Sequence, residues 1–394
     1  MTVQSSLGRV ASIDVFRALT MFLMIFVNDF WTLSGVPKAL QHAGANDDFI
    51  GFSDVIFPAF LFIVGLSIPL AVTTRRKNGF SDRTILLHIL QRAVALWVMG
   101  VFMVNYENLS PALMPIGKAL WTCLMVVALF LIWLDFKFLG KVGTLQQRLM
   151  QLTGWLLLVG LAVIFRSGNA EAVEYFQIRW WGILGIIGWA YFFNALLYLF
   201  AGRHLFSVIL VFLVFHLLHI QEFLPVGSSA YRLVVSSSNY TLVAGGMVIS
   251  ALLTYFKGQE KKIFLSLLLI VLLVMVYGYA LRPYWGGFSK IRATPSWTLV
   301  SLGWSVLSFW VLYILVDLFK WSRWARPFYI AGRYTLTCYV LPYAVYQIMV
   351  LTNTVYWPSP WSVGWLGLLK AAVFSFLILG STALLVRFRI ALKL

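Results

Sequence analysis

The sequence predicts an all-α, polytopic membrane bundle of about twelve transmembrane helices with both termini cytoplasmic, and three observations predict it. Of its 394 residues, 61% are hydrophobic and only 11% are charged, whereas a soluble domain needs about a quarter of its residues charged to clothe its surface. Long apolar stretches nearly free of charge recur, such as 263–280 and 298–316. Each approaches the ~20 residues that carry a helix across ~30 Å of hydrocarbon. The alternating segments of about ten residues that build a transmembrane β-barrel are missing.

In chain order the expected spans are 13–33, 51–73, 85–105, 118–135, 150–166, 180–201, 203–219, 240–256, 262–281, 296–317, 327–350 and 363–386. Segments 150–166 and 203–219 are the shortest, so ten or eleven spans would also fit. Basic residues mark the connections on one side. They are Arg9 before span 1; Arg75, Arg76, Lys77 and Arg83; Lys137, Lys141 and Arg148; Arg203; Lys257, Lys261 and Lys262; Lys320, Arg323 and Arg326; and Arg387, Arg389 and Lys393. The opposite side holds Lys38, Lys118, Arg166, Arg179, Arg232, Arg282, Lys290 and Arg292. Of the 30 basic residues, 18 fall on the first side, eight on the second, and Arg17, Arg92, Arg333 and Lys370 within spans. The positive-inside rule makes the richer side cytoplasmic. Aromatic clusters at Trp180-Trp181, Tyr284-Trp285 and Trp357…Trp361 fall near outer boundaries, where amphipathic rings sit well among headgroups.

No strong internal repeat or low-complexity tract interrupts this order. The longest outer connection, 221–239, holds Gly227-Ser228-Ser229 and Ser236-Ser237-Ser238. A single membrane domain over 1–394 is the simplest organisation. The net charge of +17 follows from topology rather than from nucleic-acid binding, since no basic stripe with interleaved stacking aromatics stands out. Cys123 and Cys338 lie in apolar spans and read as small buried hydrophobes. Asp14 and Arg17 interrupt the place where the apolar core of a cleavable signal peptide would lie, so none is expected.

Charges at membrane depth are costly and usually face a partner or a wet cavity. Asp14 and Arg17, three apart in span 1, share a helix face and can neutralise each other; Asn28 and Asp29 lie at the outer end of the same span. The segment "LQHAGANDDFIGFSDVIFPAFLFIVG" places His42, Asn46, Asp47, Asp48 and Asp54 at the outer entrance to span 2. Asp47 and Asp48 alone read as a solvated loop. His42 on its own reads first as an exposed loop histidine; it matters because an imidazole titrates near neutrality and can move a proton there. Pro58 invites a kink, and Gly65 and Ser67 allow another helix close. In "GGFSKIRATPSWTL" Lys290 reads equally as a headgroup contact or as a cation turned inward. His216, His219 and Glu222 form H-x-x-H-x-x-E, which reads as boundary residues rather than a metal site because no third ligand is fixed. No metal is called for.

Three stretches together resemble a known family. "RVASIDVFRALTMFLMIFVND", "HAGANDDFIGFSDVIFPAFLFIVGLSIP" and "FSKIRATPSWTL" followed by "PFYIAGRYTLTCYV" are similar to transmembrane acyltransferases related to heparan-α-glucosaminide N-acetyltransferase. The likeness is to their bacterial branch, usually described as a domain of unknown function. It implies an inner-membrane protein that takes acetyl-CoA from the cytoplasm and acetylates an amino sugar or other carbohydrate on the periplasmic face. The family's catalytic histidine falls on His42, its outer asparagine on Asn28, and the aspartate before F-P on Asp54, which reads equally as orienting the histidine or as capping span 2. Ala18 stands where the family has glycine, and "GANDDFIGFS" replaces a shorter loop that commonly contains tryptophan.

The catalytic candidates are therefore His42, Asn28 and Asp54. Asp29, Lys290 and Trp297 are the candidates for substrate binding, and Asp14, Arg17 and Arg92 for acetyl-CoA. The expected partners are the lipid bilayer, acetyl-CoA and a carbohydrate acceptor, with a homodimer as an option and no nucleic acid. Two other readings are a secondary transporter of a sugar or small polar solute, which also uses many spans with interrupted helices, and a non-catalytic relative that keeps the fold.

Overall fold

The computed structural model describes residues 10–140, 142–202, 204–224, 233–354 and 359–394. Arg9, Lys141, Arg203, Arg232, Gly227-Ser228-Ser229 and Trp357, used above for topology, lie outside the described residues. The long helices are α1 (Ala11–Asn28), α2 (Phe52–Lys77), α3 (Asp82–Asn108), α4 (Lys118–Trp133), α5 (Thr144–Ile164), α6 (Ile183–Ala201), α7 (Leu205–Gln221), α8 (Ser237–Tyr255), α9 (Glu260–Leu281), α10 (Pro295–Leu312), α11 (Thr335–Leu351) and α12 (Gly364–Arg387). Among the described residues the one named sheet is a hairpin of Ser167–Gly168 with Val173–Glu174. The all-α class holds.

Each expected span falls on a helix, yet fewer than twelve satisfy length and composition. Among the described residues eight helices are long and apolar enough to cross a membrane, or nine if Arg323–Arg333 and Thr335–Leu351, bent by 75°, form one span. The rest fall short for plain reasons. Helices α4 and α7 have 16 and 17 residues, and α8 opens with the polar run Ser237-Ser238-Asn239. Segment 150–166, expected to be marginal, belongs to the 21-residue α5 and qualifies. The chain is an integral membrane protein by these helices.

The chain divides into two compact units. The first takes the described residues of Met1–Met24, Pro37–Leu90 and Trp189–Arg333. Its centre is a close crossing of α2 and α8: a Cβ on Gly65 would run into the Val243 carbonyl, and one on Gly246 into that of Phe62. Such approach without side chains is how helices associate where apolar burial gives no advantage over lipid. Helix α2 carries Pro58 and Pro69 without ending at either. Phe16, Phe62 and Phe309 from α1, α2 and α10 pack with ring centroids 6.1–6.4 Å apart.

The second unit takes Ile25–Val36, Gln91–Gly188 and Tyr334–Leu394. Gly100 of α3 backs onto Gly185 of α6, and Gly154 of α5 onto Ile132 of α4. Its interior holds a fully buried ion pair: Lys370 Nζ lies 2.9 Å from Asp29 Oδ2. Tyr346 donates to the other carboxylate oxygen at 2.6 Å, and Lys370 donates also to Thr32.

Candidate functional site

The entrance to α2 is built around one carboxylate. Gly51 is the cap residue with extended backbone (φ −82°, ψ 164°). Asp54, three residues on, reaches back to accept the Gly51 N–H at 3.0 Å, the reciprocal half of a capping box. The same oxygen accepts the Ala43 N–H at 3.0 Å. A Cβ at Gly51 would run into the Gln41 carbonyl, so glycine is required for the 40–43 strand of the loop to lie across the helix start. Ser53 donates to the Leu40 carbonyl and fastens that strand from the other side.

With one oxygen occupied by backbone, the other faces His42. Asp54 Oδ1 lies 2.8 Å from His42 Nδ1. The carboxylate is completely buried, whereas the imidazole is 47% exposed. Lys290 arrives from the connection between α9 and α10, with Nζ 3.0 Å from His42 Nδ1 and 3.8 Å from Asp54 Oδ1. Of the two sequence readings of Lys290, the structure has the inward one. Burial pushes its ammonium below the ordinary lysine value, and the Asp54 charge partly opposes this.

Nδ1 has a single in-plane position, which holds either a proton or a lone pair. It can donate to Asp54 or accept from Lys290, not both. A buried carboxylate can only accept, which favours the proton on Nδ1 and leaves Nε2 with the lone pair. Nε2 has no hydrogen-bond partner among the described residues.

The Lys290 connection is itself a folded lobe. Ser289 is buried and donates to the Ala45 carbonyl at 2.9 Å. Asp48 grips it further along, accepting the Phe288 N–H at 2.7 Å and the Arg282 guanidinium at 2.9 Å. Desolvation raises the Asp48 pKa, but the Phe288 and Arg282 bonds and the charges of Arg282 and Arg292 lower it, and the carboxyl is held below the usual aspartate value. Gly286 and Gly287 take left-handed φ values of 73° and 78°, and a Cβ on Gly287 would strike Asp48. Sequence reading left Asp48 as a solvated side chain and did not single out Arg282 or Ser289. The Gly286-Gly287 doublet was the local sign that backbone is approached closely there.

The remaining candidates are placed as follows. Trp297 is buried in the first turn of α10, with its indole N–H unpartnered among the described residues. Arg17 donates to Ser67 at 2.8 Å and pairs loosely with Asp14 at 3.4 Å, so the expected neutralisation is present. In the second unit Asn28 closes α1 with an exposed side chain, Asp29 sits in the buried pair with Lys370, and Arg92 is an exposed residue of α3. Among the described residues, His219 Nε2 lies 2.7 Å from the Ala293 carbonyl, and His216 Nε2 lies 3.2 Å from the Tyr277 hydroxyl.

Comparison with known proteins adds a second line. The family model described as "Domain of unknown function (DUF5009)" matches residues 9–228. The chain is similar to heparan-alpha-glucosaminide N-acetyltransferase of Mus musculus, 36% identical over 104 residues, which is 26% of this chain and 15% of that protein. To the Homo sapiens protein of the same name it is 35% identical over 97 residues, 25% of this chain and 14% of that one. The chain thus matches only a small part of the length of these curated relatives.

Proposed function

The chain belongs to the family described as domain of unknown function DUF5009, and from that membership, the partial likeness to two N-acetyltransferases and the site at the head of α2 we propose that it is a transmembrane acetyltransferase. In this reading it moves an acetyl group from cytoplasmic acetyl-CoA to an amino sugar or other carbohydrate on the periplasmic face of a bacterial inner membrane. Both termini lie inside. The observation that carries the chemistry is the His42–Asp54 pair, a half-exposed imidazole fixed at 2.8 Å by a buried carboxylate.

An acetyl thioester is already activated, so the protein needs a base for the acceptor and donors for the oxygen that gains charge. Asp54 holds the Nδ1 proton, which leaves Nε2 as base. The acceptor amine or hydroxyl attacks the acetyl carbonyl carbon, and Nε2 takes its proton as the new bond forms. The intermediate then collapses with the C–S bond breaking and coenzyme A leaving as its thiolate, which the imidazolium can protonate. Asp54 stabilises the imidazolium without being protonated itself, the role carboxylates play in triads. Transfer is direct, in a ternary complex.

Lys290 supplies a cation beside the pair; Asn28, in the second unit, is kept as a candidate for its exposed side-chain amide alone. Trp297 remains a candidate for acceptor binding, and Asp14, Arg17 and Arg92 for coenzyme A; Asp29 is no longer one, because Lys370 and Tyr346 hold its two oxygens in a fully buried pair. An amine acceptor must first lose its ammonium proton, so the rate rises from mildly acid pH toward neutral.

The test is purified protein with labelled acetyl-CoA and a panel of amino sugars, wild type beside His42→Ala. Transfer by wild type and a loss of at least a hundredfold in the variant are expected. Equal turnover by the two would remove His42 as base. Sugar uptake into vesicles with no transfer to any acceptor would favour a transporter instead.

A further inference from the structure

We infer that His219 is a positioning residue for this reaction, acting on Lys290 through the backbone of the connection that carries it; the inference rests on the acetyltransferase reading and on the place of Lys290 within it. His219 lies near the end of α7 and is completely buried. Its Nε2 is 2.7 Å from the carbonyl oxygen of Ala293. A carbonyl can only accept, so Nε2 carries the proton and donates, and Nδ1 carries the lone pair. That Nδ1 is buried without a partner among the described residues. The cost of burying that Nδ1 stands against the bond to the Ala293 carbonyl, which a phenylalanine or leucine here could not make.

Ala293 is where a hold on the connection is most effective. Its φ of 51° is left-handed, a conformation that non-glycine residues rarely adopt. Its own N–H closes a turn onto the Lys290 carbonyl at 3.0 Å. The path His219–Ala293–Lys290–His42 is therefore continuous: side chain to carbonyl, amide to carbonyl, ammonium to imidazole. On the other edge Asp48 and Ser289 tie the same connection to the His42 loop. Ser296 of α10 holds the far end at the Gly287 carbonyl; His219 is the tie at the Ala293 end, and it limits how far Nζ can withdraw from Nδ1.

Three variants separate positioning from packing. His219→Phe keeps the ring and removes the donor. Gln places its amide nitrogen near the position of Nε2, so His219→Gln restores the bond, while His219→Asn is polar and too short. Two readouts apply to each. The first is the rate at which an amine-acylating reagent labels Lys290, followed by peptide mass spectrometry on the full chain, which needs no turnover. The second is kcat for transfer, alone and in a Lys290→Met background.

Labelling of Lys290 should rise at least threefold in His219→Phe and return to the wild-type rate in His219→Gln. The value of kcat should fall about tenfold with KM for acetyl-CoA unchanged, and the same replacement should have no further effect once Lys290 is Met. If His219→Phe does not fold, His219→Asn takes its place with the same expected pattern. Unchanged Lys290 labelling, or an equal loss of kcat in the Lys290→Met background, would overturn the inference while leaving the acetyltransferase reading intact. Absence of transfer by wild type would instead remove the reading on which it rests.

Discussion

Replacing Asp54 by asparagine keeps the shape of the side chain while removing its charge and turning one acceptor into a donor, which makes it the sharpest probe of the chemistry. Asp54 Oδ2 accepts the N–H groups of Ala43 and Gly51, each at 3.0 Å. In Asp54→Asn the amide oxygen can keep both bonds, because turning the oxygen toward His42 would point an amide N–H at two backbone donors. The amide nitrogen then faces His42 Nδ1 across the present 2.8 Å and donates to it. Nδ1 becomes the acceptor, the ring proton moves to Nε2, and the base is lost with the loop and the α2 cap in place. The equivalent exchange in serine-protease triads lowers kcat by about 10⁴. Because Lys290 offers Nδ1 a competing donor here, we expect a fall of about 10³–10⁴, or about 4–5.5 kcal/mol of transition-state stabilisation. The assay is acetyl transfer from labelled acetyl-CoA, with the melting temperature of the same sample as the fold control. A variant that melts with wild type and retains a tenth or more of its kcat would refute the tautomer argument.

Lys370→Met leaves the Asp29 carboxylate buried without its cation and should destabilise the fold by about 3–5 kcal/mol; adding Asp29→Asn should recover most of that in a melting series. The Asp48 clasp is half exposed, so it is worth less than about 1 kcal/mol. Its carboxyl is held below the usual aspartate value, so its stabilisation is fully present above the ordinary aspartate pKa and lost as pH falls through the lowered one. The gap in melting temperature between wild type and Asp48→Asn should therefore be constant from pH 7 to about 5 and close under stronger acid. Gly51→Ala drives a methyl into the Gln41 carbonyl and should displace the His42 strand, with loss of transfer exceeding loss of stability.

What the residues disclosed was what is local to them. Hydrophobic runs placed the twelve long helices, because a span is a property of ~20 consecutive residues. Asp54 was legible beside His42 because twelve positions and a helix start separate them, a distance that one loop closes. The count of spans was not fixed, since α4, α7 and α8 are too short or too polar for length and composition to settle them. Lys290 stayed ambiguous for a different reason. It lies 248 positions from His42, and its connection is held by Asp48, Ser289 and His219 through bonds that no local pattern discloses. Asp48 has the composition of a solvated loop residue, and only the fold gives it Arg282 and Phe288 as partners. The His42–Asp54 pair was thus readable from one stretch of chain. The cation that competes for its Nδ1, and so bears on which ring nitrogen is basic, became visible only when α7, α9 and α10 had brought their connections together.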